Sequence, residues 1–148
     1  MAFAIVSLSG QASHIKFVDH RFHLGRAVGY QYDIVCETES PGEIIDEYVA
    51  SKPIVLFSRT NCPPCKKLKA ALKTFKLTEK DFLDIDLVKR RDLPVRAIHA
   101  EFGTRYGSVY TPKLFIGGRF VGGKETLKMF RNGELAKLIK KALASKHH

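Results

Sequence analysis

The chain has 148 residues, 45% apolar and 27% charged, which excludes a disordered or fibrous protein and leaves little room for a second domain of ordinary size. The 25 Lys and Arg exceed the 15 Asp and Glu, for a net charge of +10. That excess belongs to one part of the chain, because residues 1–52 hold 4 basic and 7 acidic side chains whereas residues 53–148 hold 21 and 8.

The first third of the chain has weak structural signals. Loosely alternating residues at 14–17 and 30–35 predict two short strands, with Gly25 and Gly29 between them. Residues 1–32 contain a single acidic residue and faintly resemble a mitochondrial transit peptide.

An acidic segment follows at residues 37–47. Pro41 can begin a helix there. Apolar residues then recur at helical spacing: Ile44, Ile45, Tyr48 and Val49. We expect this helix to pack against the domain that follows, which begins near Pro53 because a proline disfavours helix in the residue before it. Residues 1–51 are therefore predicted to form an N-terminal extension of unknown role before a domain over residues 52–146.

Strands and helices alternate after this boundary. Residues 54–57 form a short continuous apolar run, which is typical of a central strand buried on both faces. Residues 62–75 predict a helix with two prolines in its first turn, and residues 82–87 predict a second strand. The next helix is expected from Asp92, a natural N-cap, to Gly103, a natural C-cap.

The last part of the chain predicts a hairpin and two helices. Residues 113–116 and 119–121 are short apolar runs joined by the glycines at 117–118, which is a hairpin signal. Helical spacing returns from Gly123 onward and is broken at residues 132–133, so two terminal helices are expected.

Several classes of protein are excluded. The longest apolar runs are strand-sized, far below the roughly 18 residues of a membrane span. The glycines at 117–118 and 122–123 fit neither nucleotide-binding fingerprint. Most lysines of the basic region fall on solvated helix faces without interleaved aromatic residues, so a nucleic-acid partner is not expected. Three cysteines cannot form a closed disulfide framework, and a reducing compartment is the simpler interpretation.

The candidate reactive residues are Cys62 and Cys65, which are separated by two prolines. At the start of a helix the sulfur of Cys62 lies at the positive end of the helix dipole, while Cys65 falls on the apolar face one turn later. That end of the helix and the nearby cations Arg59 and Lys66 lower the pKa of a thiol and favour the reactive thiolate. Because the prolines lack N–H groups, only the amide of Cys65 can donate to Cys62 from the first turn.

The residues alone leave two other interpretations open. Two cysteines at this spacing can be half of a zinc site, although the sequence has no second such pair and the other candidates lack a recognised ligand spacing. These candidates are Cys36, His14, His20, His23 and His99. A structural pair of buried cysteines is also open, but it would not need a helix N-terminus. The histidines at 147–148 are not counted among the candidate metal ligands.

Residues 55–65, Val-Leu-Phe-Ser-Arg-Thr-Asn-Cys-Pro-Pro-Cys, resemble the start of the glutaredoxin family. Residues 110–112, Tyr-Thr-Pro, resemble the family's Thr-Val-Pro segment, whose proline is cis and lies against the active-site cysteines. The glycines at 122–123 resemble its paired glycines before the glutathione-facing helix, and residues 132–135 resemble the break between its last helices. The resemblance covers about residues 52–145.

The resemblance implies a thioredoxin-like α/β fold, with a central four-stranded mixed sheet flanked by helices. It implies a glutathione-dependent oxidoreductase in which Cys62 attacks a protein disulfide or a glutathione mixed disulfide and Cys65 resolves the product where needed. Glutathione is the implied co-substrate, and no metal is expected. The implied partners are glutathione and disulfide-containing or glutathionylated proteins, and no membrane partner is expected. The protein is expected to be a monomer. Its expected location is intracellular and cytoplasmic, with a mitochondrial location as the alternative.

The resemblance also implies a glutathione site. Its residues are Arg59, Pro64, Tyr110, Thr111, Pro112, Gly122, Gly123, Lys124, Glu125 and Thr126. The backbone of Thr111 would pair with the cysteinyl part, the segment after Gly123 would bind the γ-glutamyl carboxylate, and Arg59 would bind the glycyl carboxylate. The family often has an acidic residue where Thr126 stands, so either Glu125 compensates for it or glutathione binds weakly.

One departure in the motif leaves alternatives open. Pro64 replaces the aromatic residue frequent before the second cysteine, and Cys-Pro-Pro-Cys also occurs among thioredoxin-like proteins. Asn61 argues against thioredoxin itself, because that family usually carries tryptophan directly before the first cysteine. One alternative is a glutaredoxin-like protein served by another donor, such as thioredoxin reductase. The other is a glutaredoxin dimer that binds an iron–sulfur cluster, against which Pro63 argues. Cys36 is expected to be a bystander, with glutathionylation or regulatory pairing with Cys62 as alternatives.

Overall fold

Six strands and five helices make up the described part of the chain. The computed structural model describes residues 13–24 and 27–145, with side chains from residue 39 onward. The strands are β1 (Ser13–Leu24), β2 (Ala27–Thr38), β3 (Ile54–Ser58), β4 (Phe82–Asp86), β5 (Lys113–Ile116) and β6 (Arg119–Gly122). The helices are α1 (Pro41–Ser51), α2 (Pro63–Lys73), α3 (Val95–Tyr106), α4 (Thr126–Arg131) and α5 (Glu134–Ala144). None of these helices is long and apolar enough to cross a membrane.

The chain divides into two units, residues 1–40 and 41–148. In the first unit β1 and β2 pair antiparallel over 12 residues each, so both strands are longer than predicted. Gly29 lies within β2, opposite Phe22, and not between the strands as the sequence predicts. Gly25, the residues at 147–148 and the first 12 residues of the segment that resembles a transit peptide lie outside the described residues.

The second unit is built on a four-stranded mixed sheet in the order β4-β3-β5-β6. β3 is one of its two inner strands, parallel to β4 and antiparallel to β5, and all five of its side chains are buried. β5 and β6 form the predicted hairpin, where Gly117 and Gly118 have φ angles of 59° and 78°. Such positive φ angles favour glycine, which explains the pair in the turn. The predicted fold class is confirmed.

Helices cover both faces of this sheet. Side chains alternate along a strand, so Val55 and Phe57 of β3 pack with α1 and α3, whereas Ile54 and Leu56 pack on the other face with α2 and α5. The acidic helix α1 therefore packs against the sheet as expected, and it belongs to the second unit although the sequence assigns it to the extension. The terminal helices α4 and α5 separate at residues 132–133, as predicted.

Helix α3 begins and ends later than the sequence predicts. Asp92 is not its N-cap, because the carboxylate accepts hydrogen bonds from the guanidinium of Arg90 at 2.9 and 2.7 Å. Gly103 lies inside the helix, and a Cβ there would come within 2.9 Å of the Val109 side chain, so close packing explains the glycine. Gly107, with a φ of 73°, ends the helix.

We predict that Phe57→Ala destabilises the second unit strongly. Phe57 is fully buried, and its ring makes edge-on contacts with Tyr48, Phe102 and Phe115 at centroid distances of 6.3, 5.2 and 5.8 Å. Loss of these contacts and the cavity left behind should lower the free energy of unfolding by about 3–5 kcal/mol, measured by urea denaturation. Val88→Ala, at an exposed position, is the control, and an equal effect of both substitutions would contradict the assignment of the core.

Candidate active site

Cys62 is the N-cap of α2, and its sulfur is bonded to that of Cys65. The two Cα atoms are 5.1 Å apart, and the amide N–H of Cys65 donates to the Cys62 sulfur at 3.3 Å. Prolines occupy the first two positions of the helix, so this amide is the first-turn donor that the sequence predicts. Cys65 is fully buried, whereas 8% of Cys62 is exposed and borders a cavity. The two sulfurs therefore differ in access.

The segment before β5 places a second donor against Cys62. The peptide bond between Thr111 and Pro112 is cis. The hydroxyl of Thr111 lies 3.8 Å from the Cys62 sulfur, and its carbonyl oxygen lies 3.7 Å away. After reduction, the hydroxyl and the Cys65 amide can both donate to a thiolate at Cys62, whereas the carbonyl can accept only from the protonated thiol. The positive end of the helix dipole adds to the two donors as a group that can stabilise a thiolate.

A cavity of about 390 Å³ opens beside Cys62. Its walls come from the start of α2, from α3 and from the segments before α2 and β5. The lining residues are Arg59, Asn61, Cys62, Pro63, His99, Val109, Tyr110 and Thr111. Because a guanidinium binds carboxylates well, Arg59 makes this cavity suitable for an acidic ligand.

Only part of the predicted site lines this cavity. Cys62, Arg59, Tyr110 and Thr111 do so. The predicted residues outside its wall are Cys65, Pro64, Pro112, Gly122, Gly123, Lys124, Glu125 and Thr126.

His99 is a lining residue that sequence reasoning missed. Its Nδ1 lies 2.6 Å from the carbonyl oxygen of Val109, and its ring packs edge-on against Phe102. The sequence suggests His99 only as a candidate zinc ligand. Its place on α3 beside Ile98, which is buried, is the signal that puts it at the border of the core.

The loop that precedes α2 and carries Cys62 is hydrogen-bonded to β4. The hydroxyl of Thr60 donates to the carboxylate of Asp86 at 2.7 Å, and the N–H of Val88 donates to its other oxygen at 3.1 Å. Burial alone would raise the pKa of Asp86, but these hydrogen bonds and the charges of nearby lysines outweigh it and hold the pKa below its usual range. The loop is thereby fixed to the edge of the sheet next to the cavity.

The paired glycines lie against the cis-proline segment. A Cβ on Gly123 would come within 2.9 Å of the Pro112 carbonyl oxygen, so glycine permits this approach. The carboxylate of Glu125 accepts a hydrogen bond from the N–H of Gly123 at 2.6 Å. The fully buried hydroxyl of Thr126 donates to the Gly123 carbonyl, also at 2.6 Å. Both side chains thus turn toward the protein's own backbone.

A buried lysine, which sequence reasoning also missed, interacts electrostatically with Glu125. Lys113 is only 3% exposed, donates to the carbonyl of Tyr110, and lies 5.7 Å from the ring centroid of Phe102. Burial lowers the pKa of Lys113, and the negative charge of Glu125 opposes that shift. The hydrogen bond from Gly123 holds the pKa of Glu125 below its usual range, so its carboxylate is ionised at neutral pH.

Comparison with known proteins decides the family. A sequence model of the glutaredoxin family matches residues 54–121. Glutaredoxin-1 of Rhizophagus irregularis is 32% identical over 96 residues, which cover 64% of this chain and 90% of that protein. The chain belongs to the glutaredoxin family. Glutaredoxins are in general thiol oxidoreductases, and the matched range contains both cysteines and the cis proline.

Solved glutaredoxin structures share the fold. Oxidized glutaredoxin 2 from Chlamydomonas reinhardtii matches with a TM-score of 0.61 and 33% identity, over 72% of this chain and 99% of that chain. The buckwheat glutaredoxin–glutathione complex matches with a TM-score of 0.61 and 26% identity, over 69% of this chain and 89% of that chain. These matches confirm the predicted thioredoxin-like fold.

Apart from His99, the metal and thiol candidates named from the sequence precede this site in the chain, at residues 14, 20, 23 and 36. Among the described side chains, no three His, Cys, Asp or Glu residues cluster in a way that could hold a metal ion. Cys36 lies on β2 in the first unit, and its side chain is outside the described part. Its role stays a prediction.

We predict that, in the reduced protein, iodoacetamide labels Cys62 faster than Cys65. Cys62 borders the cavity and has donors that favour its thiolate, whereas Cys65 is fully buried. Peptide mass spectrometry at short times measures both rates, and preferential labelling of Cys65 would contradict the assignment.

Proposed function

We propose that this protein is a glutathione-dependent thiol–disulfide oxidoreductase that reduces protein disulfides and glutathione mixed disulfides through Cys62 and Cys65. The position of the Cys62 sulfur carries this proposal. It lies at the start of α2, accepts the N–H of Cys65, and borders a cavity whose wall contains Arg59. A reactive sulfur beside a cationic cavity fits a small acidic thiol.

In the first half of the reaction, the Cys62 thiolate attacks one sulfur of the substrate disulfide. A new bond forms between the two sulfurs, and the other substrate sulfur leaves as a thiolate that takes up a proton. With a glutathionylated protein, the product is glutathione bound to Cys62 and a reduced protein thiol. A second glutathione then attacks this mixed disulfide, releases oxidised glutathione and restores Cys62.

Protein disulfides need Cys65. After Cys62 has bound one substrate sulfur, the Cys65 thiolate attacks the Cys62 sulfur, releases the second substrate thiol and forms the disulfide present in this structure. The helix holds the two residues one turn apart, with Cα atoms 5.1 Å apart, so the attacking sulfur is already in reach. Two glutathione molecules then reduce the pair and leave as oxidised glutathione.

Glutathione is proposed to lie along the cavity with its sulfur at Cys62. The backbone of Thr111 would pair with its cysteinyl part, and Arg59 would bind its glycyl carboxylate. The γ-glutamyl end would reach toward the segment at Gly122 and Gly123. The close approach of Gly123 to Pro112 supports this path, because it brings the glycines next to the segment that contacts Cys62.

The proposed turnover needs a compartment that keeps glutathione reduced. The net reaction consumes two reduced glutathione molecules for each protein disulfide and one for each glutathione mixed disulfide, so an oxidising compartment would leave the pair as a disulfide. We therefore propose an intracellular location, and action as a monomer, since one chain supplies both thiols.

We predict different effects of the two cysteine substitutions. Cys62→Ser removes the nucleophile and should reduce all turnover to the uncatalysed rate. Cys65→Ser leaves the nucleophile and should keep removal of glutathione from a glutathionylated peptide, while it loses most reduction of a protein disulfide such as that of insulin. Both reactions are followed with glutathione and glutathione reductase.

A parallel assay with thioredoxin reductase tests the electron donor. The proposal expects turnover with glutathione and little with the reductase alone. Equal activity of Cys62→Ser and the native chain, or turnover supported by thioredoxin reductase and not by glutathione, would contradict the proposal.

A further inference from the structure

We propose that Glu125 is a specificity-determining residue, whose carboxylate occupies the backbone N–H of Gly123 at the start of the segment where the γ-glutamyl carboxylate of glutathione would bind. Glutathione then binds only by displacing a group of the protein itself. This inference rests on the proposed function. It assigns Glu125 a role that weakens glutathione binding, whereas compensation for the acidic residue that Thr126 replaces would strengthen it.

The geometry around Gly123 supports a competition. The carboxylate of Glu125 accepts the Gly123 N–H at 2.6 Å, a short distance for a charge-assisted hydrogen bond. The protein's own side chain thus indicates that this amide binds a carboxylate. Gly123 lies against the Pro112 carbonyl, and the preceding Thr111 contacts the Cys62 sulfur, so the occupied amide is within the site proposed for glutathione.

The charges around Glu125 maintain this arrangement. The pKa of Glu125 is held below its usual range, first by the hydrogen bond from Gly123 and also by the positive charges of Lys113 and Lys124. The carboxylate is therefore ionised throughout the neutral range, and a ligand carboxylate that approaches the same N–H meets a like charge. The buried hydroxyl of Thr126 donates to the Gly123 carbonyl, so it is not available as another hydrogen-bond donor to the ligand carboxylate.

The expected consequence is a preference between disulfides. A mixed disulfide with cysteinylglycine lacks the γ-glutamyl group and has no carboxylate to place at Gly123. Its reaction with Cys62 should therefore not depend on Glu125, whereas the reaction of a glutathione mixed disulfide should be slowed by it.

The test is a single-turnover reaction of the reduced protein with one peptide that carries either glutathione or cysteinylglycine as a mixed disulfide. Each turnover yields the peptide thiol, the released small thiol and the disulfide between Cys62 and Cys65, so no donor is needed. Glu125→Gln removes the charge with little change in shape, and Glu125→Ala removes the competing group. Glu134→Gln makes the same charge change at an exposed position on α5 and is the matched control.

We predict that Glu125→Ala raises the second-order rate with the glutathione disulfide about three- to tenfold, as expected for loss of one partly exposed charged hydrogen bond, with a smaller gain for Glu125→Gln. The rate with the cysteinylglycine disulfide should stay unchanged in both Glu125 variants, which also shows that these variants are folded. Both rates of Glu134→Gln should equal those of the native chain.

Other outcomes overturn the inference in distinct ways. Slower reaction with the glutathione disulfide alone would mean that Glu125 receives the ligand's amino group. Equal changes with both disulfides would mean that Glu125 acts on the Cys62 thiol itself, and no change would mean that the bond to Gly123 does not compete. If the native chain reacts with neither disulfide, the proposed function fails and this inference falls with it.

Discussion

The position of the Cys62 sulfur at the first turn of α2 is the constraint on which the site depends. Two prolines follow it, so the helix offers that sulfur no N–H group before the amide of Cys65, which lies 3.3 Å away. The same residue carries the second thiol, held by the helix one turn from the first. In the proposed mechanism, one short segment therefore stabilises the nucleophile and supplies the thiol that resolves its mixed disulfide.

This placement depends in turn on the sheet. β3 is buried along its whole length and ends next to the loop that leads to Cys62, while the bond from Thr60 to Asp86 ties that loop to β4. The cis-proline segment leads into β5, the antiparallel neighbour of β3, and so reaches the same sulfur. A ligand that reacts with Cys62 therefore meets an arrangement set by three neighbouring strands.

The sequence predicts the features that rest on local physics. The apolar run of β3, the prolines of α2 and the glycines of the β5–β6 turn each have one favoured conformation, and each is found where expected. The predicted ends of α3 are wrong. Asp92 does not cap the helix because its carboxylate is bonded to Arg90, and Gly103 does not end it because this glycine makes room for the Val109 side chain.

The same distinction holds within the candidate site. Cys62, Cys65 and the cis proline follow from motifs, and Arg59 is placed by its distance along the chain from the first cysteine. His99 and Lys113 are not predicted as site residues, because their partners lie on other segments of the fold. The carboxylate of Glu125 could reach a ligand or the backbone two residues before it, and only the structure distinguishes the two. The proposed site thus has a cavity lined by Arg59 at one end. Near its other end, the N–H of Gly123 is bonded to Glu125.

Trapping a mixed disulfide on the Cys65→Ser variant tests whether Cys62 is the thiol that reacts with glutathione. Without the resolving thiol, a Cys62 that reacts with oxidised glutathione must retain one glutathione through a disulfide bond, and reduced glutathione must remove it. Peptide mass spectrometry should find this adduct on Cys62 and its loss after the second step. A Cys62 that stays unmodified, with or without an adduct on Cys36, would contradict the account.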